Sequence, residues 1–399
     1  MKRIVITGIG IVSPFGVGKR VLFDNLLANN VALRNDEKLK VIVGRIAESG
    51  EHGLDLSSWT SRELKQMSRG SVLAIVAAEE AVKDAGLEEC HMEETGVNVG
   101  MGIADLEVIY EVGKQIAEGK GRRVTPFFIP RILTNMPAGH VSIKFGMRGP
   151  HLSSCTACAT GLHSVGDSAT FIKMGRAKRM LAGATEACVN GIAVTGFSQM
   201  RALTTTCSRP FDKRRDGFVL SEGAAVLVLE EMQEALKRKA NIYAEIMGYG
   251  VAGDAYHLTT PSEDGIGAFL SMERCLADSC INSDQVTYVN AHATSTVLGD
   301  HFESRAIARL FPGVAVSSIK GHIGHTLAAA GAIETAVTAM CIEEGKLVGN
   351  VRLEESDIEE NLRLLRQSEI WNKRRIALVN SFGFGGSHAT LCLSAMENS

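Results

Sequence analysis

The chain lacks the features that define several classes of protein. No apolar run reaches the roughly 20 residues that a transmembrane helix requires, so a membrane-spanning protein is not expected. The formal net charge of its 399 residues is −3, without the basic excess that is typical of nucleic-acid-binding proteins. We therefore predict no membrane insertion and no nucleic-acid partner.

The spacing of the cysteines and the low content of aromatic residues both indicate the class of protein. The nine cysteines are an odd number without a repeated spacing, which argues against a secreted disulfide scaffold and favours reduced thiols. Cys155 and Cys158 form one C-x-x-C, but no second pair follows at zinc-ribbon spacing, so no structural zinc site is predicted. Aromatic residues make up only 5% of the chain, whereas the 41 glycines are typical of an α/β protein with tight turns and closely packed helices.

Short apolar runs alternate with helical patterns along the chain, which predicts an α/β architecture. The predicted strands are residues 2–7, 97–101, 179–184, 242–249, 286–290, 314–318 and 376–380. The predicted helices are residues 71–85, 159–174, 266–277, 301–310 and 328–343. The same strand-and-helix rhythm recurs on both sides of a charged stretch at residues 231–239. We therefore expect two halves, 1–235 and 236–399.

The first chemical motif is a cysteine in a small-residue turn, residues 156–161. We predict that Cys158 lies where a strand gives way to the helix 159–174, at the positive end of the helix dipole. That placement lowers a thiol pKa and favours the nucleophilic thiolate. A buried structural cysteine is one alternative. A redox pair with Cys155 is another, which the expected position of Cys155 inside the preceding strand argues against.

Two histidine motifs follow predicted strands in the second half. His292 comes after the strand 286–290, where open α/β folds place ligands, although a hydrogen-bonded loop histidine is the alternative. His325 comes after the strand 314–318, at an expected helix start, where the dipole favours a neutral imidazole that can donate to an oxyanion. Metal binding by His322 and His325 is disfavoured because no carboxylate ligands accompany them.

Two further features complete the pattern. Glu334 lies in an Ala/Gly-rich helix that would bury its carboxylate, and Lys320 is the predicted ion-pair partner. The glycine-rich turn at residues 380–386 is not a phosphate-binding fingerprint, because no G-x-G-x-x-G opens a helix there. Its backbone N–H groups could form an oxyanion hole, and Phe384 could either gate a pocket or pack in the core.

Together and in this order, the four motifs resemble the β-ketoacyl-[acyl-carrier-protein] synthases that use one cysteine and two histidines. The resemblance covers nearly the whole chain and includes residues 122–130, 135–140, 208–212 and 215–219. Within the family the mitochondrial members are the most similar, on the cues of Ala293, Gly321 and the segment 100–108.

The resemblance implies a thiolase-like fold of five layers, α-β-α-β-α, with two similar halves, and a homodimer. It implies no metal and no cofactor, because the substrates are carried on the phosphopantetheine of an acyl carrier protein, which is the expected partner. The implied compartment is the mitochondrial matrix. A bacterial cytoplasm is the alternative, since the N-terminus enters a strand pattern without a visible transit peptide.

The resemblance also implies a role for each motif in a decarboxylative Claisen condensation that elongates fatty acids. Cys158 accepts the acyl chain, and His292 and His325 stabilise the enolate that forms when malonyl-carrier protein loses CO2. Backbone N–H groups of Cys158 and Phe384 form the oxyanion hole. The other implied residues are the supporting pair Lys320 and Glu334, the phosphopantetheine contacts Thr294 and Thr296, the acyl-pocket residues Ile103, Phe128, Phe197 and Phe384, and the carrier-protein patch Arg62, Lys65, Arg122, Arg123 and Arg201.

Some residues depart from the family pattern. Ser387-His388 stands where Thr-Asn is usual, and Val297 replaces a proline. Three other departures are His151 in place of an asparagine, Cys155 in place of a small or β-branched residue, and a short loop before Arg209. These departures affect the expected shape of loops more than the expected chemistry.

Three related proteins are the rival interpretations. A thiolase would carry a second catalytic cysteine near the C-terminus, where this chain has Phe384. The starter synthase of the same superfamily uses Cys-His-Asn, which His325 argues against. A non-catalytic chain-length subunit would lack the cysteine, whereas this chain keeps Cys158.

Overall fold

The structure, a computed structural model, describes residues 2–396. Its strands are β1 Ile4–Ser13, β2 Gly16–Val17, β3 Arg34–Asp36, β4 Val41–Gly44, β5 Thr95–Met101, β6 His151–Leu152, β7 Arg179–Glu186, β8 Leu220–Ser221, β9 Gly223–Glu231, β10 Ala244–Gly253, β11 Tyr288–Asn290, β12 Ala315–Ser317, β13 Lys346–Leu347, β14 Arg363–Leu364, β15 Glu369–Ile370, β16 Ile376–Gly383 and β17 Ser387–Ser394. Its α-helices are α1 Lys19–Leu27, α2 Ser61–Gln66, α3 Arg69–Asp84, α4 Glu89–Met92, α5 Leu106–Ala117, α6 Phe128–Ile132, α7 Met136–Phe145, α8 Thr160–Lys173, α9 Gly191–Gln199, α10 Met232–Lys237, α11 Ile266–Ser279, α12 Val297–Leu310, α13 Lys320–Ile323 and α14 Ala330–Glu344. Short 3-10 helices cover Gly121–Arg123, Ser283–Gln285 and Leu327–Ala329.

The main sheet repeats one strand arrangement twice. Its order is β14-β12-β11-β16-β17-β10-β1-β9-β7-β5-β6, with β2 beside β1. The runs β6-β5-β7-β9-β1 and β12-β11-β16-β17-β10 share the same succession of two parallel and two antiparallel pairings. The two runs meet where β1 pairs antiparallel with β10, with Ile4 opposite Ile246. We call the first run the N-terminal sheet and the second the C-terminal sheet.

Helices cover these sheets on their outer faces and fill the space between them. α3 packs on β1 and β9, α11 packs on β10 and β17, and α8 and α14 pack against each other in the middle. The central core contains Leu162 and Val165 of α8 together with Ile333 and Ala336 of α14. The predicted thiolase-like fold, five layers in the order α-β-α-β-α, is therefore confirmed.

The predicted strands and helices all coincide with observed elements, but the prediction misses the long strands β9 and β17 and, among others, the helices α1, α5, α7 and α9. β9 begins with the small residues Gly223, Ala224 and Ala225, which have low intrinsic strand preference. β17 begins with polar residues directly after a glycine-rich turn. Within the described residues, no helix has the length and apolar character needed to cross a membrane.

Candidate active site

Cys158 lies in the turn that opens α8, and its side chain is buried. Ala157 has a φ of +49°, a left-handed conformation that costs free energy for a residue with a side chain. Thr160 holds the turn: its hydroxyl donates to the carbonyl oxygen of Ala157 at 2.7 Å and accepts from the amide of Thr156 at 2.9 Å. The predicted position of the cysteine at a helix start is therefore observed.

The segment before this turn differs from the prediction. β6 ends at Leu152, so Cys155 lies outside any strand and is exposed. The preceding serines bond to β5 instead of continuing a ladder, since Ser153 Oγ donates to Val99 O at 3.1 Å and the Ser154 amide donates to Asn98 Oδ1 at 3.3 Å. The strand argument against a redox pair was wrong. The nine cysteines are nevertheless all free thiols in the structure.

Two histidines from the C-terminal sheet reach the cysteine. His292 follows β11, and His325 lies between α13 and the 3-10 helix Leu327–Ala329. The Nε2 atom of His325 lies 3.1 Å from Cys158 Sγ, and the His292 and His325 rings are 5.3 Å apart and nearly perpendicular. One ring nitrogen of each histidine and Cys158 Sγ all lie within 4.8 Å of one another. One thiol and two imidazole rings therefore meet at a single position in the site.

Burial sets the protonation of these groups. Burial raises the pKa of Cys158 to about 12, and the nearby positive charge of Lys320 only partly offsets it. This corrects the predicted lowering of the thiol pKa, because desolvation of a thiolate outweighs the helix dipole here. Burial and then Lys320 lower the pKa values of His292 and His325 well below the usual range. The resting site therefore holds a thiol beside two neutral imidazoles.

Lys320 and Glu334 form the ion pair that the sequence predicts. Both side chains are 1% exposed, and Lys320 Nζ contacts Glu334 Oε1 directly. Burial raises the pKa of Glu334 to about 7 against the opposing attraction of Lys320. Removal of either partner would leave an unpaired charge in the buried interior. The pair therefore holds the segment between β12 and α14 in place.

The sequence prediction missed three buried polar residues. The carboxylate of Glu303 in α12 accepts from the amides of His292 at 2.8 Å and Ala293 at 2.7 Å, and from Asn380 Nδ2 at 3.0 Å. Glu303 and Asn380 thus hold the backbone that carries His292. Glu186, at the end of β7, lines the same cavity as Cys158, and burial raises its pKa to about 8. An acidic residue eleven positions after a histidine was the only sequence signal for Glu303.

The cysteine and both histidines open into a cavity of about 870 Å³. The predicted substrate residues that line it are Ile103, Phe197, Thr294, Thr296 and Phe384, together with Arg201 from the predicted patch. The hydroxyls of Thr294 and Thr296 lie 3.2 Å apart. Phe128 does not line this cavity, because it begins α6, which packs on α2 and α5.

The glycine-rich turn between β16 and β17 closes on the nucleophile. Ser381 Oγ donates to the Cys158 carbonyl oxygen at 2.8 Å. A Cβ atom on Gly383 would lie 2.6 Å from the carbonyl oxygen of Thr156 and 3.3 Å from the Cys158 amide nitrogen, so only glycine fits. Phe384 follows with 38% of its surface exposed. The turn thus brings the backbone of residues 383–384 beside the cysteine, where the sequence placed an oxyanion hole.

The five basic residues predicted as a patch are all exposed. Arg62 and Lys65 lie in α2, Arg122 and Arg123 lie in the 3-10 helix Gly121–Arg123, and Arg201 follows α9. Their exposure leaves them available to an acidic partner.

Among the described residues, one set of side chains brings metal-ligating atoms together, and it is not the pair of His322 and His325 that the sequence analysis disfavoured. Both ring nitrogens of His322 lie against carbonyl oxygens, of Asn30 at 2.8 Å and of Gly349 at 3.1 Å, so His322 does not share a site with His325. Cys158, His292 and His325 have donor types that zinc accepts. The positive charge of Lys320 acts on all three and opposes a cation there. The absence of a resident metal stays a prediction.

Comparison with known families identifies the family to which this chain belongs. Residues 1–235 match the N-terminal domain of the β-ketoacyl synthases, and residues 243–354 match their C-terminal domain. The chain belongs to the β-ketoacyl synthase family.

Individual members of this family match over the full length. The chain is 40% identical to the mitochondrial 3-oxoacyl-[acyl-carrier-protein] synthase of Arabidopsis thaliana, over 99% of this chain and 94% of that protein. It is 39% identical to 3-oxoacyl-[acyl-carrier-protein] synthase 2 of Rhizobium meliloti, over 98% of this chain and 99% of that one. A solved ketosynthase, in complex with its type II polyketide acyl-carrier protein and bound to a hexaketide, superposes with a TM-score of 0.89. It has 28% identity and covers 99% of this chain and all of that one.

Proposed function

We propose that the chain is a 3-oxoacyl-[acyl-carrier-protein] synthase, an acyltransferase that condenses malonyl-carrier protein with an acyl chain held on Cys158, in fatty acid elongation. The observation that carries this function is the 3.1 Å contact between Cys158 Sγ and His325 Nε2, with His292 beside them in one cavity. Each of these three residues has a distinct task in the two stages of the reaction.

In the first stage Cys158 is the nucleophile. Its Sγ attacks the carbonyl carbon of an acyl-carrier thioester, forms a new C–S bond and displaces the pantetheine sulfur. Because the resting group is a thiol, its proton must leave during the attack, and His325 Nε2 is close enough to accept it. The proton then passes to the departing sulfur, so that the ring returns to its neutral form with Nε2 unprotonated. Before the second stage the ring changes tautomer, so that its proton moves from Nδ1 to Nε2.

In the second stage the two imidazoles act as donors. Malonyl-carrier protein loses CO2, and N–H groups of His292 and His325 stabilise the enolate oxygen that forms. The enolate carbon attacks the acyl-cysteine, the C–S bond to Cys158 breaks, and the sulfur regains a proton from solvent. Backbone N–H groups of Cys158 and Phe384 hold the tetrahedral oxyanion, a task that typically contributes about 2.7–4 kcal/mol for each donor.

The remaining residues hold the substrates. Lys320 and Glu334 keep the histidine segment in place without touching the reacting atoms. Thr294 and Thr296 face the cavity as contacts for the phosphopantetheine arm, and Ile103 and Phe197 line the acyl pocket. We also propose that the chain forms a homodimer.

The partner is an acidic acyl carrier protein, which we propose docks on Arg62, Lys65, Arg122, Arg123 and Arg201. The complex of a related ketosynthase with its carrier protein supports an acyl carrier protein as the partner. The carrier's phosphopantetheine supplies the reactive thioester, so the chain itself needs no cofactor.

The proposal also covers the cellular compartment and the division of the chain into two halves. Mitochondrial and bacterial relatives match at 40% and 39% identity, so a location in the mitochondrial matrix stays a prediction, with a bacterial cytoplasm as the alternative. We also propose that residues 1–235 and 236–399 are the two structural halves.

The test is an elongation assay with malonyl-carrier protein and acyl-carrier primers of increasing length. We expect Cys158→Ala to lose acyl transfer and condensation by at least about a thousandfold, since the covalent intermediate cannot form. Cys158→Gln, of larger size, serves as the second variant, and unchanged thermal unfolding of both serves as the control. Condensation by Cys158→Ala at the wild-type rate would refute the mechanism.

A further inference from the structure

The N-terminal half holds the backbone of His325, although the chain places that histidine in the C-terminal half. The His325 amide donates to the Val219 carbonyl oxygen at 2.8 Å, and the Ser221 amide donates to the His325 carbonyl oxygen at 3.1 Å. These two bonds join His325 to β8 as a parallel bridge opposite Leu220. The other edge of β8 pairs in parallel with β4, where Gly44 is the partner of Ser221. His325 thus extends the small sheet β3-β4-β8.

Packing from the same half holds the ring of His325. The Phe218 ring, one residue before Val219, stands at 89° to the His325 ring with centroids 5.2 Å apart. Phe197 of α9 packs on Phe218 in turn, at 5.5 Å and 75°. No described residue hydrogen-bonds to His325 Nδ1, the ring atom whose bond often fixes the orientation of a functional histidine. The direction in which the ring points to Cys158 therefore depends on its packing and its backbone.

Ser221 fits closely between two glycines at this bridge. A Cβ atom on Gly324, which precedes His325, would lie 2.1 Å from Ser221 Oγ, and Gly324 has a φ of +74° that favours glycine. A Cβ atom on Gly44 would lie 2.3 Å from Ser221 Oγ and 2.9 Å from the Ile323 carbonyl oxygen. Both positions need glycine so that β4 and β8 can approach the backbone that carries His325.

We propose that β8 is the positioning element for His325: it fixes the backbone of the histidine so that, with Phe218 against the ring, Nε2 stays 3.1 Å from Cys158 Sγ. The proposal rests on the proposed function, in which this contact serves both stages of the reaction. The backbone of β8 makes the bonds, and β8 lies outside the cavity lining. One reacting group is thus placed by the half of the chain that supplies the other.

A small movement of this bridge is enough to change the rate. The two short contacts at Gly44 leave no room for a methyl group, so an added one must push β4 away from the backbone before His325. That movement carries the His325 ring away from Cys158. A misplacement of about 1 Å can slow a reaction about a hundredfold. The bridge therefore affects the rate separately from its effect on stability.

The experiment compares two strand glycines with matching surroundings in the full-length protein. Gly44→Ala meets a serine hydroxyl and a backbone carbonyl oxygen beside the His325 segment. Gly248→Ala in β10 meets the same two kinds of atom in α11, Ser279 Oγ at 2.1 Å and the Cys275 carbonyl oxygen at 2.7 Å. Because Gly248 lies outside the cavity lining and outside the bridge, it is the matched control.

Three quantities are measured for each variant. The midpoint of urea unfolding should fall by similar amounts in both. Gly44→Ala should lower kcat for condensation by about ten- to a hundredfold, with KM for malonyl-carrier protein within about twofold, because the substrate contacts lie elsewhere. Acylation of Cys158, followed by mass spectrometry, should slow as well. Gly248→Ala should keep kcat and KM within about twofold of wild type.

The position of the ring is followed directly by NMR of protein with isotope-labelled histidine. The His325 ring signal is assigned by its absence from His325→Gln. The signal depends on the distance to the Phe218 ring, so it should move in Gly44→Ala and stay in place in Gly248→Ala. A change in overall stability alone would not produce this difference.

Variants of Ser221 test the same contact more gently. Ser221→Ala removes only a hydroxyl to which no described residue hydrogen-bonds, so kcat should stay within about twofold of wild type. Ser221→Cys enlarges the atom that faces both glycines and should show a smaller kcat loss and signal shift than Gly44→Ala. Gly44→Ala/Ser221→Gly removes the clashing side chain and should recover part of the lost kcat.

Equal kcat values in Gly44→Ala and Gly248→Ala would overturn the proposal, as would an unmoved His325 signal in Gly44→Ala. If Gly44→Ala does not fold, the comparison of Ser221→Cys with Ser221→Ala decides, and matching kcat values and signals there would overturn it. If wild-type protein never condenses, the proposed function fails instead, while the NMR comparison still tests the bridge.

Discussion

The two sheets have the same strand arrangement but contribute different chemistry. The N-terminal sheet supplies one reacting side chain, Cys158, from a strained turn at the start of α8. The C-terminal sheet supplies His292 and His325, together with the Lys320–Glu334 pair that supports them. The first run of strands thus presents the nucleophile in a turn, whereas the strand ends of the second run carry the groups that bind protons and charge. The same strand arrangement therefore supports two different sets of reacting side chains.

The sharpest test of this contrast is the titration of the nucleophile. Because burial raises the pKa of Cys158 to about 12, its alkylation by iodoacetamide should rise about tenfold per pH unit between pH 7 and 10 without a plateau. The same cysteine in urea-unfolded protein should level off near pH 8.5, as an ordinary thiol does. A plateau below pH 8 in the folded protein would contradict the raised pKa of the Cys158 thiol.

Removing the lysine tests what holds the C-terminal half. Lys320→Ala leaves Glu334 buried without its partner, and we expect the free energy of unfolding to fall by about 3–5 kcal/mol. Urea denaturation at pH 8 measures it, since wild-type Glu334, with a pKa of about 7 beside Lys320, is then mostly charged. Without Lys320 that pKa rises further, and the loss includes the cost of protonating the buried carboxyl. The matched variant Lys320→Met/Glu334→Leu should recover most of the loss. A loss below about 1 kcal/mol in Lys320→Ala would show that the pair is not structurally important.

A glycine at the contact between the halves should have a smaller effect. A Cβ atom on Gly161 of α8 would lie 2.6 Å from the Ala332 nitrogen of α14, so Gly161→Ala should cost about 1–3 kcal/mol of stability. Gly113→Ala in α5 is the control, because nothing lies within 4 Å of that Cβ position and alanine is the better helix former. If both substitutions are neutral, α8 and α14 adjust freely and the halves are not tightly coupled.

The smallest expected effect concerns the surface of the N-terminal half. Arg122→Glu/Arg123→Glu should lower kcat/KM for acyl-carrier protein by up to about tenfold through weaker electrostatic attraction, and iodoacetamide should react with Cys158 as before. Arg148→Glu, at a residue with 78% of its side chain exposed, is the control. Unchanged kinetics with acyl-carrier protein would remove these arginines from the docking surface.

Local patterns in the sequence predicted much of the fold. Apolar patterns located β5, β7, α3 and α8 to within a few residues, because the two strands are buried along their whole length and the two helices bury a continuous apolar face. The prediction missed β9 because both of its partners, β1 and β7, lie far away in sequence. It missed β17 because that strand begins with polar residues and pairs on one side with the distant β10. Their stability comes from those pairings and not from local preference.

The active-site residues also divide into those that local sequence patterns predicted and those that they did not. Cys158, His292 and His325 each follow a recognisable local motif, so the sequence identified them. Glu303 became visible only when α12 folded back to meet the His292 backbone. The direction of the Cys158 pKa shift depends on how completely the site is buried, which no local pattern records.

The antiparallel pairing of β1 with β10 has a consequence for inheritance. The three residue pairs from Ile4–Ile246 to Ile6–Ala244 cover part of the strand that would otherwise be an open edge of each sheet, and an uncovered strand edge is a template for aggregation. A gene that lost either half would therefore encode a protein with an exposed edge as well as an incomplete site.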